Sequence, residues 1–217
     1  MKKLTVAILA IMLGSFSIAS AELGVNVGIS GQMGVFHAEA EESIGVERKG
    51  DDTGVGIFGY TSVFIEKTLG QYITVGIDYV PESMESETVE NTQSVNDSDA
   101  KADKTNTAKV DFEDMTTYYV ALNLTENFYV KAGMIEVDLI TKETLETGGS
   151  YGNGSLDGEM MGLGYNKDFT RGIFLRAEGT YMDFDNIKLN STAGETKTIE
   201  ARGIQGVSGK ISIGKSF

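Results

Sequence analysis

A long alternation of apolar with small or polar residues is the feature of this chain that most restricts its fold. It is clearest in "LGVNVGISGQMGV", residues 23–35. One face of this segment carries Leu23, Val25, Val27, Ile29, Met33 and Val35, and the other carries Gly24, Asn26, Gly28, Ser30, Gln32 and Gly34. A period of two over about a dozen residues exceeds the usual globular strand of about 5–6 residues. It matches a tilted transmembrane strand of about 9–11 residues, so the segment is predicted to cross a membrane as a β-strand.

The same alternation recurs in seven further segments. We predict strands at 55–67, 71–81, 110–123, 128–140, 157–167, 171–184 and 200–217. The connections between strands alternate between long polar ones, at 37–54, 82–109, 141–156 and 185–199, and short ones, at 68–70, 125–127 and 168–170. Outer-membrane barrels show this asymmetry, with short periplasmic turns and longer extracellular loops. The sequence therefore predicts an all-β fold, an eight-stranded antiparallel transmembrane barrel closed by pairing the first strand with the eighth.

The alternation also assigns the residues that face outward. The outward sets are Ile73/Val75/Ile77/Tyr79, Tyr118/Val120/Leu122, Phe128/Val130/Ala132/Met134, Met161/Leu163/Tyr165 and Ile173/Leu175/Ala177/Tyr181. The second strand has apolar residues on both faces, and we assign Val55, Ile57, Val63 and Ile65 outward. The chain has 27 glycines, 19 Phe and Tyr residues together, and one proline, a composition that suits long continuous strands.

The first residues, "MKKLTVAILAIMLGSFSIASAEL", predict export from the cytoplasm. Two lysines precede the apolar stretch 4–18, and Ala19-Ser20-Ala21 follows as a small-residue cleavage site. This is the pattern of a secretory signal peptide at 1–21, which leaves 22–217 as the barrel domain. The mature chain then has 16 basic and 32 acidic residues and no cysteine. Its charge disfavours nucleic-acid binding, and the lack of cysteine excludes disulfides and thiolate metal sites.

A soluble eight-stranded barrel of the lipocalin type is the main structural alternative. Such barrels turn their apolar faces inward around a ligand, and alternation alone does not distinguish the two faces. Two features favour the membrane. Charged residues sit in mid-strand beside glycines, as in Lys131 with Gly133 and Lys210 with Gly209, which fits a small packed lumen. The connections are also far longer on one side than on the other.

The last strand, "VSGKISIGKSF", ends on an aromatic residue. Val207, Ile211, Ile213 and Phe217 share its apolar face, and here the chain resembles the small bacterial outer-membrane β-barrels, namely the OmpA transmembrane domain and OmpX-like proteins. The resemblance implies that Ile211, Ile213 and Phe217 form the signal for the barrel-insertion machinery. It also implies outer-membrane lipid and periplasmic chaperones as partners. Lys215 departs from the pattern, because an apolar residue is commoner there, but a rim lysine can reach the headgroups.

The inward faces carry ionisable residues, which we expect to form a network. These are Glu66, Asp78, Glu113, Lys131, Arg176, Glu178, Arg202 and Lys210. An eight-stranded barrel is just wide enough for side chains to fill, and an isolated buried ion costs several kcal/mol. We therefore predict that Lys131, Arg176 and Lys210 are neutralised by Glu178, Glu113 and either Glu66 or Asp78. A filled polar core and a gated narrow pore both fit this pattern.

Three other motifs have weaker chemical interpretations. His37, the only histidine, lies where the first strand meets the first loop and could act as a general base, although no Ser/Asp partner is evident. Asp97, Asp99 and Asp103 begin a calcium-loop spacing that fails at Ala102 and Ala108, so a hydrated, mobile loop is expected. The glycine-rich 148–155 lacks the lysine and helix of a phosphate loop. We expect no catalytic residue, no metal and no cofactor.

These observations predict an integral protein of the cell outer membrane that is not an enzyme and displays four acidic extracellular loops with a structural or interaction role. The ligand of these loops is not specified by the sequence. The alternatives are a narrow porin-like channel for small solutes and, less favoured, an outer-membrane enzyme that transfers lipid acyl chains.

Overall fold

The computed structural model of the chain describes residues 24–44, 47–97, 100–145, 150–192 and 197–217. The predicted signal peptide lies outside the described residues. Within these ranges, no helix has the length and apolar character needed to cross a membrane. Among the described residues, the regular structure consists of eleven strands and one short 3₁₀ turn, Thr170–Gly172. The strands are β1 Val25–Ile44, β2 Glu47–Leu69, β3 Ile73–Tyr79, β4 Met84–Glu85, β5 Val89–Asp97, β6 Ala100–Asn123, β7 Phe128–Leu145, β8 Gly154–Asp168, β9 Ile173–Phe184, β10 Ile187–Asn190 and β11 Lys197–Ser216.

Eight of these strands close into an antiparallel barrel, which confirms the predicted fold. Their order is β1-β2-β3-β6-β7-β8-β9-β11, and β11 pairs back onto β1. In the closing pair, Ile29 lies opposite Ile213, and the ladder continues to Asn26 opposite Ser216. The three short strands β4, β5 and β10 pair with the distal parts of β6 and β11. Because every barrel strand has two neighbours, the wall has no free edge where all eight strands are present.

The predicted long loops are largely β-structure. β1 continues to Ile44 and β2 already begins at Glu47, so most of the predicted loop 37–54 consists of the two paired strands of a β-hairpin. The predicted loop 82–109 contains β4, β5 and the first part of β6, and its described backbone is a strand pair instead of an open loop. Sequence reasoning missed these strands because their side chains are polar on both faces, which removes the periodic signal. Backbone pairing in a ribbon needs no apolar face.

Three short turns close the other end of the barrel. Gly70 has φ 68° and Gly172 has φ 74°, a left-handed conformation that glycine adopts without steric cost. Arg171 also has a positive φ, 66°. In the β6–β7 turn, the Thr125 hydroxyl accepts a hydrogen bond from the Phe128 amide at 2.9 Å. This end is called the short-turn end below.

A belt of exposed apolar side chains surrounds the barrel. Its members lie on the predicted outward faces and include Ile29, Met33, Ile57, Val63, Val120, Val130, Leu163, Leu175, Ile211 and Ile213. The outward assignment of Val55, Ile57, Val63 and Ile65 on β2 is confirmed, because all four side chains are exposed whereas Tyr60 is buried. Val75 is the exception on the outward face, since Leu69, Ile77 and Tyr118 cover it. An apolar surface of this extent on the outer wall of a barrel is typical of a wall that faces lipid and would be unfavourable in water.

The interior of the distal half of the barrel is apolar. Its buried residues are Tyr60, Val80, Met84, Met115, Ile135, Val137, Leu139, Leu156, Met160, Met182 and Phe184, and we call them the apolar layer. Phe36 and Phe58 pack against this layer, with their ring centroids 5.7 Å apart in an edge-to-face contact. Aromatic pairs of this geometry add to the stabilisation by area burial alone. The lumen therefore has its hydrophobic core on the side away from the short turns.

Candidate functional site

The candidate site is the barrel lumen, whose character changes with height. β9 shows the order: its inward residues from the short-turn end are Phe174, Arg176, Glu178, Thr180, Met182 and Phe184. An aromatic floor is followed by charged residues and then by the apolar layer. Since the side chains of a strand alternate strictly, each second residue of β9 samples one level of the lumen.

Six ionisable side chains meet at the charged level, and we call them the charged layer: Glu66, Asp78, Lys131, Arg176, Glu178 and Lys210. Lys131 donates to Glu178 at 2.7 Å, and Lys210 lies 3.7 Å from the other oxygen of the same carboxylate. Lys210 also donates to Asp78. Glu178 therefore joins two cations from β7 and β11.

Arg176 and Glu66 form the second half of the charged layer. The guanidinium donates from Nη1 to Oε1 at 2.5 Å and from Nη2 to Oε2 at 2.7 Å, a two-pronged ion pair. Glu66 also accepts a hydrogen bond from the Tyr119 hydroxyl at 2.6 Å and from the Asn26 amide at 3.1 Å. The Arg176 Nε donates to Asn166 at 3.0 Å. Charge-assisted, two-pronged contacts of this kind are the stronger hydrogen bonds of proteins.

The charged layer is electrically balanced, because three carboxylates face three cations. Rings also contribute: the Lys131 ammonium lies 4.1 Å from the centroid of Tyr119, and the Arg176 guanidinium lies 4.5 Å from that of Phe174. Burying a charge costs several kcal/mol unless partners and further hydrogen bonds compensate. The observed pairing meets that requirement for each cation.

The structure places two predicted lumen residues elsewhere. Glu113 is not part of the charged layer, because the ladder between β6 and β7 shifts register between Glu113 and Thr116, where Asp114 has φ 53°. The extra residue reverses the inward and outward alternation above it. Arg202 lies on the distal part of β11 and pairs with Glu41 at 3.0 Å and with Glu39 at 3.5 Å. The β1–β11 ladder shifts register between His37 and Glu39, and the cross-strand partner of Arg202 is Glu39, which is on the outward face of β1 with Val35. The prediction that Arg202 faces inward was therefore wrong.

The residues of the predicted insertion signal lie on the outside of the barrel. Ile211, Ile213 and Phe217 are exposed, and Phe217 is joined to β1 by a hydrogen bond from its amide to the Val25 carbonyl at 2.9 Å. The Lys215 ammonium lies 4.6 Å from the centroid of the Phe217 ring. The lysine and the terminal ring therefore share one outward face at the short-turn end.

Sequence reasoning missed the aromatic rings that line the lumen, although a signal for them exists. A Cβ on Gly76 would lie 2.4 Å from the Tyr119 ring, and one on Gly164 would lie 2.2 Å from the Tyr129 ring. Each tyrosine is the direct cross-strand partner of its glycine. A large inward ring beside an inward glycine is thus the readable pattern, since the glycine leaves the ring room to lie flat on the wall.

The described residues of the lumen line a wide cavity at the short-turn end and a much smaller one above it. The vestibule, a cavity of about 800 Å³ at the short-turn end, has Arg176, Tyr129 and Phe174 among its lining residues, together with Asn26, Asn127 and Asn166. A second cavity of about 30 Å³ lies between the charged and apolar layers, beside Lys131, Lys210 and Met182. This volume is enough for roughly one or two waters. The apolar layer lies beyond it.

The described residues supply no metal site of the usual kind, because no three His, Asp or Glu side chains cluster among them. His37 lies two residues after the outward Val35 on β1 and is paired in the sheet with Val55 and Gln205. The side chains of 97–103, which carry the incomplete calcium-loop pattern, lie outside the described residues.

A second charged cluster lies on the distal part of β6 and β7, above the belt. Asp111 is fully buried and bonds to Lys142, and the Lys109 ammonium is 3.6 Å from its other oxygen. The hydrogen bond from Lys142, helped by the charge of Lys109, holds the pKa of the Asp111 carboxyl below its usual range. The cluster fastens β6 to β7 where they extend past the barrel.

Comparison with known proteins supports the fold. No family model and no curated protein matches the chain. The crystal structure of the outer membrane protein OprG from Pseudomonas aeruginosa is similar, with a TM-score of 0.59 at 12% identity, covering 93% of this chain and 99% of that one. The outer membrane protease OmpT from Escherichia coli shows a weaker likeness, with a TM-score of 0.46 at 9% identity over 94% of this chain and 100% of that one. The fold is that of the small bacterial outer-membrane β-barrels, and it places the apolar belt in the outer membrane.

Proposed function

We propose that this chain is a non-enzymatic barrel of the outer membrane that is closed to solutes and acts through the acidic strands beyond its extracellular end. The observation that carries the proposal is the stacking of two different barriers in one narrow lumen. The charged layer holds three ion pairs, and the apolar layer lies above it, beyond the small cavity.

Each layer opposes a different class of solute. Apolar molecules entering from the periplasm meet buried ion pairs. Ions that pass the charged layer meet Met, Ile, Val and Phe side chains, where an unpaired ion costs many kcal/mol. A conducting state requires both layers to move together, and tightly packed interiors resist such motion.

The extracellular strands supply a surface for interaction. β1, β2, β6 and β7 continue past the belt as paired strands, and residues 82–109 hold seven acidic side chains and three lysines. Such a surface favours partners with positively charged faces and repels anionic ones. We call the distal parts of these strands, with β5, the extracellular ribbons.

Planar-bilayer conductance tests the closed barrel. We expect only rare, small openings for the wild-type protein. A variant that thins the apolar layer, Met182→Ala with Phe184→Ala, should open more often, and adding Glu178→Gln should raise conductance further. Large, steady channels in the wild-type protein contradict the proposal and favour the narrow porin-like alternative.

Ribbon function is tested separately. Replacing residues 38–53 and 88–107 with short turns keeps Met84 of the apolar layer and Lys109 beside Asp111. This variant should retain heat-modifiable gel mobility, which reports the folded barrel, and should reduce adhesion of cells to positively charged surfaces. Unchanged adhesion contradicts an interaction role for the ribbons.

The enzymatic alternative depends on His37. If the protein transfers lipid acyl chains with this histidine as the general base, His37→Ala abolishes lipid modification in cells. We expect no difference in the outer-membrane lipid profile between wild-type, His37→Ala and gene-deletion strains.

A further inference from the structure

Charge is distributed unequally over the outer surface of the barrel. Beyond the extracellular border of the belt, the outward positions of β7, β8 and β9 carry acidic residues, including Glu136, Asp157, Glu159 and Asp183. At the periplasmic end of the same wall, three cations are exposed: Lys167 at the end of β8, Arg171 in the turn before β9 and Lys215 at the end of β11. The exposed acids of this end, Glu126 and Asp168, line the vestibule.

The sheet register brings the three cations to one patch. Lys167 is the cross-strand partner of Leu175, and Lys215 is the partner of Ile173. Two lysines therefore flank the pair of apolar residues that β9 presents to lipid. With strands about 4.8 Å apart and about 3.3 Å per residue, their Cα atoms are about 12 Å apart, a gap that two flexible lysine stems can close around one group. Arg171 lies in the turn immediately below.

Within the ranges that the structure describes, none of the three cations has an ion-pair partner. The Lys215 ammonium lies over the ring of Phe217. The nearest acid along the chain, Asp168, accepts a hydrogen bond from Asn166 at 2.8 Å and lines the vestibule inside the barrel. The charged layer pairs every cation, whereas this patch leaves three cations available to a ligand.

The depth of the patch identifies the chemistry of that ligand. Ile173 and Leu175 are 43% and 41% exposed, so an apolar surface adjoins the cations at the periplasmic edge of the belt. A molecule that fits has a negative headgroup beside fatty acyl chains. We propose that Lys167, Arg171 and Lys215 bind the phosphate of an anionic glycerophospholipid in the periplasmic leaflet, whose acyl chains lie on Ile173 and Leu175. This inference rests on the membrane orientation of the barrel and not on what the ribbons bind.

Native mass spectrometry of the protein released from mixed phosphatidylglycerol and phosphatidylcholine micelles tests the site. The wild-type protein should retain phosphatidylglycerol in preference, and each of Lys167→Gln, Arg171→Gln and Lys215→Gln should reduce that preference about fivefold. Lys188→Gln, which removes an exposed cation from β10 at the extracellular end, is the matched control and should retain the preference. Heat-modifiable mobility checks that every variant is folded.

Three results overturn the proposal. The first is a wild-type preference for phosphatidylglycerol in the variant that combines Lys167→Gln, Arg171→Gln and Lys215→Gln. The second is a loss of preference in Lys188→Gln as large as in the patch variants, since that result reports net charge alone. Displacement of phosphatidylglycerol by excess inorganic phosphate identifies an anion site without a lipid role. Because this experiment measures lipid retention, its outcome does not depend on the outcome of the conductance and adhesion tests.

Discussion

At the scale of single residues, Glu178 is the centre of the charged layer. Its carboxylate contacts both Lys131 and Lys210, and all three side chains are buried. Glu178→Gln leaves two ammonium groups with one fewer counter-charge, so the free energy of unfolding should fall by about 3–5 kcal/mol. Urea unfolding in detergent measures this loss of stability. Glu113→Gln, outside the layer, is the control and should change stability by less than about 0.5 kcal/mol. A loss of only about 0–1 kcal/mol for Glu178→Gln indicates a water-filled lumen and favours the pore.

Two lumen tyrosines provide a matched pair. The Tyr119 hydroxyl donates to Glu66 at 2.6 Å, whereas the buried Tyr129 hydroxyl lies near Glu178 in a geometry that does not meet the requirements of a regular hydrogen bond. Tyr119→Phe removes a bond to a charged group and should cost about 1.5–3 kcal/mol. Tyr129→Phe removes a hydroxyl that makes no regular hydrogen bond to Glu178, so its cost should be clearly smaller than that of Tyr119→Phe. Equal losses in the same urea experiment contradict this assignment.

At the scale of elements, two turn glycines separate backbone strain from close packing. Gly70 and Gly172 both have positive φ. A Cβ on Gly172 would lie 2.6 Å from the Ser216 carbonyl oxygen, whereas one on Gly70 would have no atom within 4 Å. Gly70→Ala should cost about 1–2 kcal/mol from strain alone. Gly172→Ala should cost clearly more in urea unfolding, since it must also displace the end of β11. Similar costs for both would mean that the close approach does not matter.

The distal part of β6 and β7 should respond to pH through Asp111. Its pKa is lower in the folded protein than in the unfolded chain because of its hydrogen bond with Lys142. The carboxylate therefore stabilises this segment fully above the unfolded value of about 3.9, and the stabilisation is lost as pH falls through the lower folded value. Amide exchange protection factors around Val110 should be constant from neutral pH to about 5 and should drop below about 4. Asp111→Asn should show low protection throughout. A pH-dependent loss that persists in this variant assigns the effect to another group.

At the scale of the whole molecule, closure depends on β1 pairing with β11. The chain has no cysteine, so crosslinks can be introduced without background. Ile29 and Ile213 are direct partners in this ladder, whereas Val207 pairs with Val35. Oxidation of Ile29→Cys/Ile213→Cys should therefore join the first barrel strand to the last one by a disulfide and increase the gel mobility of the denatured chain. The off-register pair Ile29→Cys/Val207→Cys should not crosslink, because disulfides require Cα atoms about 4.4–6.8 Å apart. A crosslink in the second pair alone contradicts the register.

The alternation of apolar residues along each strand was enough to predict the barrel fold from the sequence. The period of two is a local property of each strand, so residues such as Ile29, Val130 and Ile213 could be assigned to the lipid face without knowledge of their neighbours. The alternation of long and short connections then determined eight strands. The ionisable residues Lys131, Glu178 and Lys210 followed from the same parity, since each occupies the face opposite the belt.

Tertiary structure alone decided what depends on register and on neighbours across the sheet. The bulge at Asp114 adds one residue to β6, and no periodic signal predicted the reversal that moves Glu113 out of the charged layer. The pairing of Arg176 with Glu66 joins residues 110 positions apart. The ribbons formed where the side chains lack alternation, because their strands are held by backbone hydrogen bonds that any sequence can make. Local alternation therefore determines which way a residue faces, and long-range register determines what it meets there.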